Sequence, residues 1–98
     1  MRIITEAVAG SLESSDLLVK VSPSRDKTLE IYVTSDVIEQ FGTQIRHVVD
    51  DTLKRLAVTD GLIVIEDKGA LDYAIRARVQ TAVLRGAECK ELNWEQLS

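Results

Sequence analysis

"TLEIYVTSDVIEQFGTQI", residues Thr28–Ile45, changes its hydrophobic period in the middle. Up to Thr34 the pattern alternates. Leu29, Ile31 and Val33 fall on one side and Glu30, Tyr32 and Thr34 on the other, the period of two expected of a strand with one face on a core. Beyond Asp36 the apolar positions are Val37, Ile38, Phe41, Ile45, Val48, Val49, Leu53 and Leu56, the spacing of an amphipathic helix. Asp36, followed three residues later by Glu39, has the form of a capping box and predicts the helix start.

Upstream, "SPSRDK" reads as a loop, and Pro23 ends the strand before it because proline cannot donate to a ladder. That strand, "DLLVKVS" (Asp16–Ser22), alternates clearly, with Leu17, Val19 and Val21 together on one side. Ile3 to Leu12 is weakly strand-like. Between these two segments lie Ser11, Ser14 and Ser15 with Glu13 and Asp16, where a hairpin turn belongs.

Downstream, Asp60-Gly61 is a turn signal. "LIVIE" is a buried strand by its unbroken apolar run. "DKG" then turns the chain into a second helix from about Ala70 to Arg85. Leu71, Ala74, Ile75, Val79, Ala82 and Val83 form its apolar face, Asp72 and Arg76 an (i, i+4) pair, and Gly86 a C-cap. Residues 87–98 read as an irregular tail pinned by Leu92 and Trp94. The expectation is α+β: one small domain over 1–98, order β-β-β-α-β-α. About four strands form an antiparallel or mixed sheet with both helices on one face.

The 98 residues carry 12 Lys+Arg against 16 Asp+Glu, a net charge of -4. An acidic chain is poorly suited to neutralising phosphates, so nucleic acid is not the expected partner. With Cys89 as the only cysteine there is no intrachain disulfide and no cysteine zinc cluster. The N-terminus lacks the apolar run of a signal peptide, and no stretch approaches ~20 apolar residues. The expected location is cytoplasmic, without membrane contact.

The sequence offers little for catalysis. His47 is the only histidine and falls on the polar side of its helix, where it reads as solvated. One histidine among scattered acids is a poor metal site, and no Gly-rich phosphate loop is present. The acidic pairs Asp50-Asp51 and Glu66-Asp67 read as a solvated helix face and a strand end. Arg76, Arg78 and Arg85 stand on the last helix; Arg76 has Asp72 as a natural partner, and Arg78 is the candidate partner or phosphate contact. The serine cluster has two readings. Serine and aspartate serve turns through local hydrogen bonds; the same residues could also present one exposed hydroxyl for modification.

"AVAGSLESSDLLVKV" (Ala7–Val21) and "DKGALDYAIRARVQTAVLRG" (Asp67–Gly86) together resemble the acyl carrier proteins of citrate lyase, the gamma subunits of that complex. The similarity runs over nearly the whole chain and includes the late tryptophan in "LNWEQL". In that family the serine of "LES" carries the prosthetic group, which implies Ser14 here; Ser15 stands where relatives often have glycine. The group implied is 2'-(5''-phosphoribosyl)-3'-dephospho-CoA, joined to Ser14 by a phosphodiester. Its thiol would bear acetyl and citryl during cleavage of citrate to oxaloacetate and acetate. The resemblance implies a noncatalytic subunit whose partners are the transferase (alpha) and lyase (beta) subunits and the transferase that attaches the group. Two alternatives stand beside it: the carrier of malonate decarboxylase, and an unmodified α+β interaction or ligand-sensing domain.

Overall fold

In a computed structural model the chain forms β1 (Ala7–Gly10), β2 (Leu17–Ser22), β3 (Leu29–Ser35), α1 (Ile38–Arg55), β4 (Gly61–Asp67) and α2 (Asp72–Gly86). The structure describes residues 1–87. The expected tail, with Cys89, Leu92 and Trp94, lies outside the described residues, as do the side chains of Ile38 and Glu39.

The sheet is mixed, in the order β1-β2-β4-β3. β1 pairs antiparallel with β2, and β2 antiparallel with β4. β3 and β4 run parallel, so α1 is the crossover between them. Both helices cover one face. Leu17, Val19 and Val21 of β2 and Ile63 and Ile65 of β4 are buried there against Ile45, Val49 and Leu53 of α1 and Ile75, Val79 and Val83 of α2. The opposite face is open: Val8 and Tyr32 are exposed on it, with Lys20 and Val64 between them in the register.

The period-two and period-3.6 patterns therefore predict the elements, while several ends differ. β1 is confined to Ala7–Gly10. Before it, the amides of Ile4 and Thr5 donate to the Gly86 carbonyl, which draws the chain beneath the end of α2. β3 is an edge strand, so Leu29 at its start is exposed rather than packed on the core. The capping box does not form: Val37 is the N-cap of α1, with no side-chain cap. Asp36 lies one residue too early and meets Lys68 instead.

The turn after α1 falls at Ala57, whose φ is +55°, and not at Asp60-Gly61. The Ala57 and Val58 amides close back on the carbonyls of Lys54 and Leu53, a Schellman-type ending. Asp60-Gly61 instead leads straight into β4. Leu71 is the N-cap of α2 and is exposed, so it does not belong to the apolar face.

Gly86 is not a C-cap. It is the last residue of α2, buried, and a Cβ there would come within 2.6 Å of Val21 Cγ2. It is small because helix and sheet touch at that point.

Candidate functional site

The serine cluster is the β1–β2 hairpin turn, and its hydroxyls have separate roles. Ser11 Oγ donates to Asp16 Oδ2 at 2.7 Å and accepts the Glu13 amide at 3.2 Å. It is part of the turn's framework. Asp16 also accepts the Leu17 amide at 2.8 Å, and the Asp16 amide donates to the Glu13 carbonyl. Ser15 has φ +66°, in the left-handed region that favours glycine. That conformation gives a physical reason for a glycine to suit this position. Ser14 stands between these anchored neighbours, exposed, and its hydroxyl has no hydrogen-bond partner among the described residues.

The turn rests on the loop that joins β4 to α2. The Ser15 amide donates to the Lys68 carbonyl at 2.8 Å, and the Lys68 amide donates to the Asp16 carbonyl at 2.9 Å. That loop is organised in turn by Asp67, which is 1% exposed. Its carboxylate accepts the Gly69 and Ala70 amides at 3.1 and 3.0 Å and the Ser35 hydroxyl at 2.7 Å. Gly69 supplies the left-handed φ, +88°, that the bend needs. The two sequence stretches singled out above therefore meet through main-chain hydrogen bonds.

Arg78 makes a second brace. Its Nε and one terminal nitrogen donate to the two Asp16 oxygens at 3.1 and 3.0 Å, a two-pronged pair. Its stem lies over Gly10, where a Cβ would sit 3.2 Å from Arg78 Cδ. The Ser11 hydroxyl first, then Arg78, then the Leu17 amide lower the Asp16 carboxyl from 3.8 to about 2. Asp16 is thus ionised across the neutral range, and the turn beside Ser14 is fixed.

The other singled-out residues sit elsewhere. Arg76 does not pair with Asp72. It reaches across to α1, donating to Asp51 at 2.8 Å and Thr52 Oγ1 at 3.4 Å, and holds the Asp51 carboxyl below its ordinary range. Asp72 accepts Gln44 instead. The cross-helix pair wins because Arg76 lies on the side of α2 that faces α1, where it joins the two helices. Arg85 donates to the Val8 carbonyl, tying α2 to β1. His47 is exposed, as expected.

The sequence reading places Asp67 in an acidic pair at a strand end and Asp67 and Lys68 in the turn before α2, and misses the burial and organising role of Asp67 and the backbone role of Lys68. A buried organising role for Asp67 is signalled by Asp-x-Gly at the end of an apolar strand, an arrangement suited to an Asp side chain that accepts the next amides. Lys68 acts through its backbone, for which side-chain chemistry gives no signal.

Comparison with known proteins places this geometry in a lineage. Residues 4–86 match the family model described as "Malonate decarboxylase delta subunit (MdcD)". The "Citrate lyase acyl carrier protein" of Albidiferax ferrireducens is 60% identical over 97 residues, covering 99% of each chain. That of Enterobacter sp. (strain 638) is 58% identical over 98 residues, covering all of both. A chain of the "Crystal structure of a Pseudomonas malonate decarboxylase hetero-tetramer in complex with malonate" superposes with TM-score 0.73 at 25% identity, covering 83% of this chain and 82% of that one.

Proposed function

From the premise that the chain belongs to the citrate lyase acyl carrier protein family, we propose that it is the noncatalytic carrier subunit of a cytoplasmic citrate lyase complex, with Ser14 as its attachment point. The observation that carries this reading is the hydroxyl of Ser14: exposed, unpartnered among the described residues, and flanked by Glu13 and Ser15, whose backbone amides are tied down. A modifying enzyme needs access to one oxygen on a defined backbone, and a hairpin tip provides that.

The residues present fit 2'-(5''-phosphoribosyl)-3'-dephospho-CoA on Ser14. The group would supply a terminal thiol on a long arm, able to bear acetyl and citryl as thioesters while citrate is cleaved to oxaloacetate and acetate. In the attaching transferase Ser14 Oγ would lose its proton and bond to the phosphorus of an activated donor as that donor's leaving group departs from the same phosphorus, and afterwards it would serve only as an anchor. Ser11, Asp16 and the Lys68 backbone hold the turn while large partners approach it. Arg78 keeps its second terminal nitrogen free of Asp16, so the guanidinium can meet a phosphate on Ser14 or an acidic partner group without releasing the turn. Tethering raises the effective concentration of the thiol at both the transferase (alpha) and lyase (beta) subunits.

Intact mass after coexpression with the attaching transferase tests the reading. Wild type gains the mass of the group and Ser14→Ala does not. Gain of the group by Ser14→Ala would transfer the assignment to Ser15 or Ser11. No gain by wild type would leave the unmodified interaction or ligand-sensing domain as the reading. The family model's description and the fold match to a malonate decarboxylase chain support a second reading, a carrier for that enzyme. Identities of 58–60% to citrate lyase carriers against 25% to the decarboxylase chain favour the first. Assembly of modified chain with citrate lyase alpha and beta subunits, and restoration of citrate cleavage, separates the two.

A further inference from the structure

A cleft of about 250 Å³ opens between the start of α1 and the start of α2. Phe41 and Ile45 form one wall and Ala70 and Leu71 the other, and a Gln44–Asp72 hydrogen bond of 3.2 Å crosses its rim. Phe41 is 49% exposed and Leu71 63% exposed, so two large apolar side chains face water beside an apolar hollow.

We infer that this cleft is an intramolecular resting site for the pantetheine end of the arm carried on Ser14. The inference rests on the carrier reading above and adds to it a site on the chain's own surface.

Three observations select this occupant. The first is position. Gly69 and Ala70 line the cleft, and Lys68 beside them is hydrogen-bonded to Ser15 and Asp16. From Ser14 to Gly69 the path is two peptide steps and one interstrand-type hydrogen bond, at most on the order of 15 Å. An arm of nucleotide plus pantetheine is longer than that.

The second is size. Pockets that enclose a drug-sized ligand have ~300–1,000 Å³. This cleft falls just below that range, which suits a slender chain better than the bulkier nucleotide portion. The third is chemistry. Pantetheine alternates hydrocarbon with amides, and the cleft offers apolar walls with an amide and a carboxylate at the rim. A partner's side chain could also use apolar walls, but it would not occupy them in the isolated chain.

Weak affinity suffices for such a site. A tethered group has an effective concentration on the order of millimolar, so an intrinsic dissociation constant of that order leaves the arm docked about half the time. The arm is then shielded between deliveries and still released readily to a partner subunit.

The test uses isolated full-length chain, unmodified and modified, with modification verified by intact mass. Amide shifts of modified minus unmodified protein are mapped by NMR. Alkylation of the arm thiol by iodoacetamide is followed on the fragment bearing Ser14, apart from Cys89. The expected result is a second set of shifts at Phe41, Gln44, Ala70 and Leu71, beyond those in the turn. Leu71→Glu and Phe41→Ser, both at exposed positions, should gain the same mass, lose that second set and alkylate roughly two-fold faster than wild type. A modified wild type whose shifts stay within residues 11–16 overturns the inference while the carrier reading stands. So does an unchanged shift map and alkylation rate in both variants. A chain that gains no mass overturns the carrier reading and this inference together.

Discussion

The two ends of the sheet are held by different forces. At one end Ile3, Gly61, Val21 and Gly86 pack so closely that a Cβ on either glycine would sit 2.6 Å from a neighbouring side chain. At the other the serine turn, the Asp67–Ala70 loop and Arg78 are joined by hydrogen bonds and charge, and a Cβ on Gly69 would meet nothing within 4 Å. Glycine serves close approach at Gly61 and Gly86, and at the braced end it does so at Gly10, where a Cβ would collide with the Leu17 carbonyl, while Gly69 is there for backbone conformation alone. Packing gives the first end its share of the global stability. Polar bracing gives the second a defined shape with open space around it, which a site of covalent attachment needs.

Gly86→Val should break the packed end and produce the largest loss. Val21 and Ile3 are β-branched and stiff, so the added methyls have little room to be accommodated. Overpacking of this kind costs about 3 kcal/mol, seen as a melting temperature lower by roughly 10–20 °C. An unchanged melt would show that the contact relaxes cheaply.

Asp67→Ala should come next, at the braced end. It removes a buried acceptor and leaves the Gly69 and Ala70 amides and the Ser35 hydroxyl without a partner. The expected cost is about 2–3 kcal/mol by urea denaturation. Hydrogen exchange should also quicken at Ser15 and Lys68, because the bonds of their amides to the Lys68 and Asp16 carbonyls depend on the loop. Gly69→Ala should cost about 1 kcal/mol, purely for the left-handed φ, since the space is open. If Gly69→Ala cost as much as Gly86→Val, the contrast between the two ends would fail.

The braced end should respond to acid. The Asp16 carboxyl titrates near 2 in the folded chain against an ordinary 3.8. Its contribution is therefore complete above about pH 4 and is lost as pH falls toward 2. NMR titration of its carboxyl carbon should show the low midpoint. Ser11→Ala should raise the midpoint more than Arg78→Ala does, because the hydroxyl is the larger influence. Equal effects would mean that the guanidinium fixes the turn as strongly as the local hydrogen bond.

The same contrast explains what the sequence discloses. Alternation in "DLLVKVS" and "TLEIYVT" and the stripe of α1 were legible because burial on one face imposes a period. The serine turn was legible because its residues interact with near neighbours, as Ser11 does with Asp16. Pairings set by the packing of distant elements were not. Arg76 could not reveal Asp51, 25 residues away, while Asp72 stood at the (i, i+4) position. The close approach at Gly86 was hidden likewise, since a glycine after an apolar helix has the same appearance whether it caps or packs. Arg78 was picked out as a candidate contact, but its hold on Asp16 across 62 residues required the fold.

The smallest stability effect should belong to the residue with the largest functional one. Ser11 and Ser14 lie three residues apart in one turn, yet only Ser11 Oγ bonds within it. Ser11→Ala removes a donor to Asp16 and an acceptor for the Glu13 amide, and should cost about 1 kcal/mol in urea. It should leave the attachment of the group in place, though slower on a looser turn. Ser14→Ala removes an exposed hydroxyl without a partner among the described residues, and should stay within about 0.5 kcal/mol of wild type. It should abolish attachment altogether. The pair separates bracing from anchoring: stability should follow Ser11 and mass should follow Ser14. A Ser14→Ala protein markedly less stable than wild type would mean that its hydroxyl braces the turn as well, and the division of labour among the serines would be wrong.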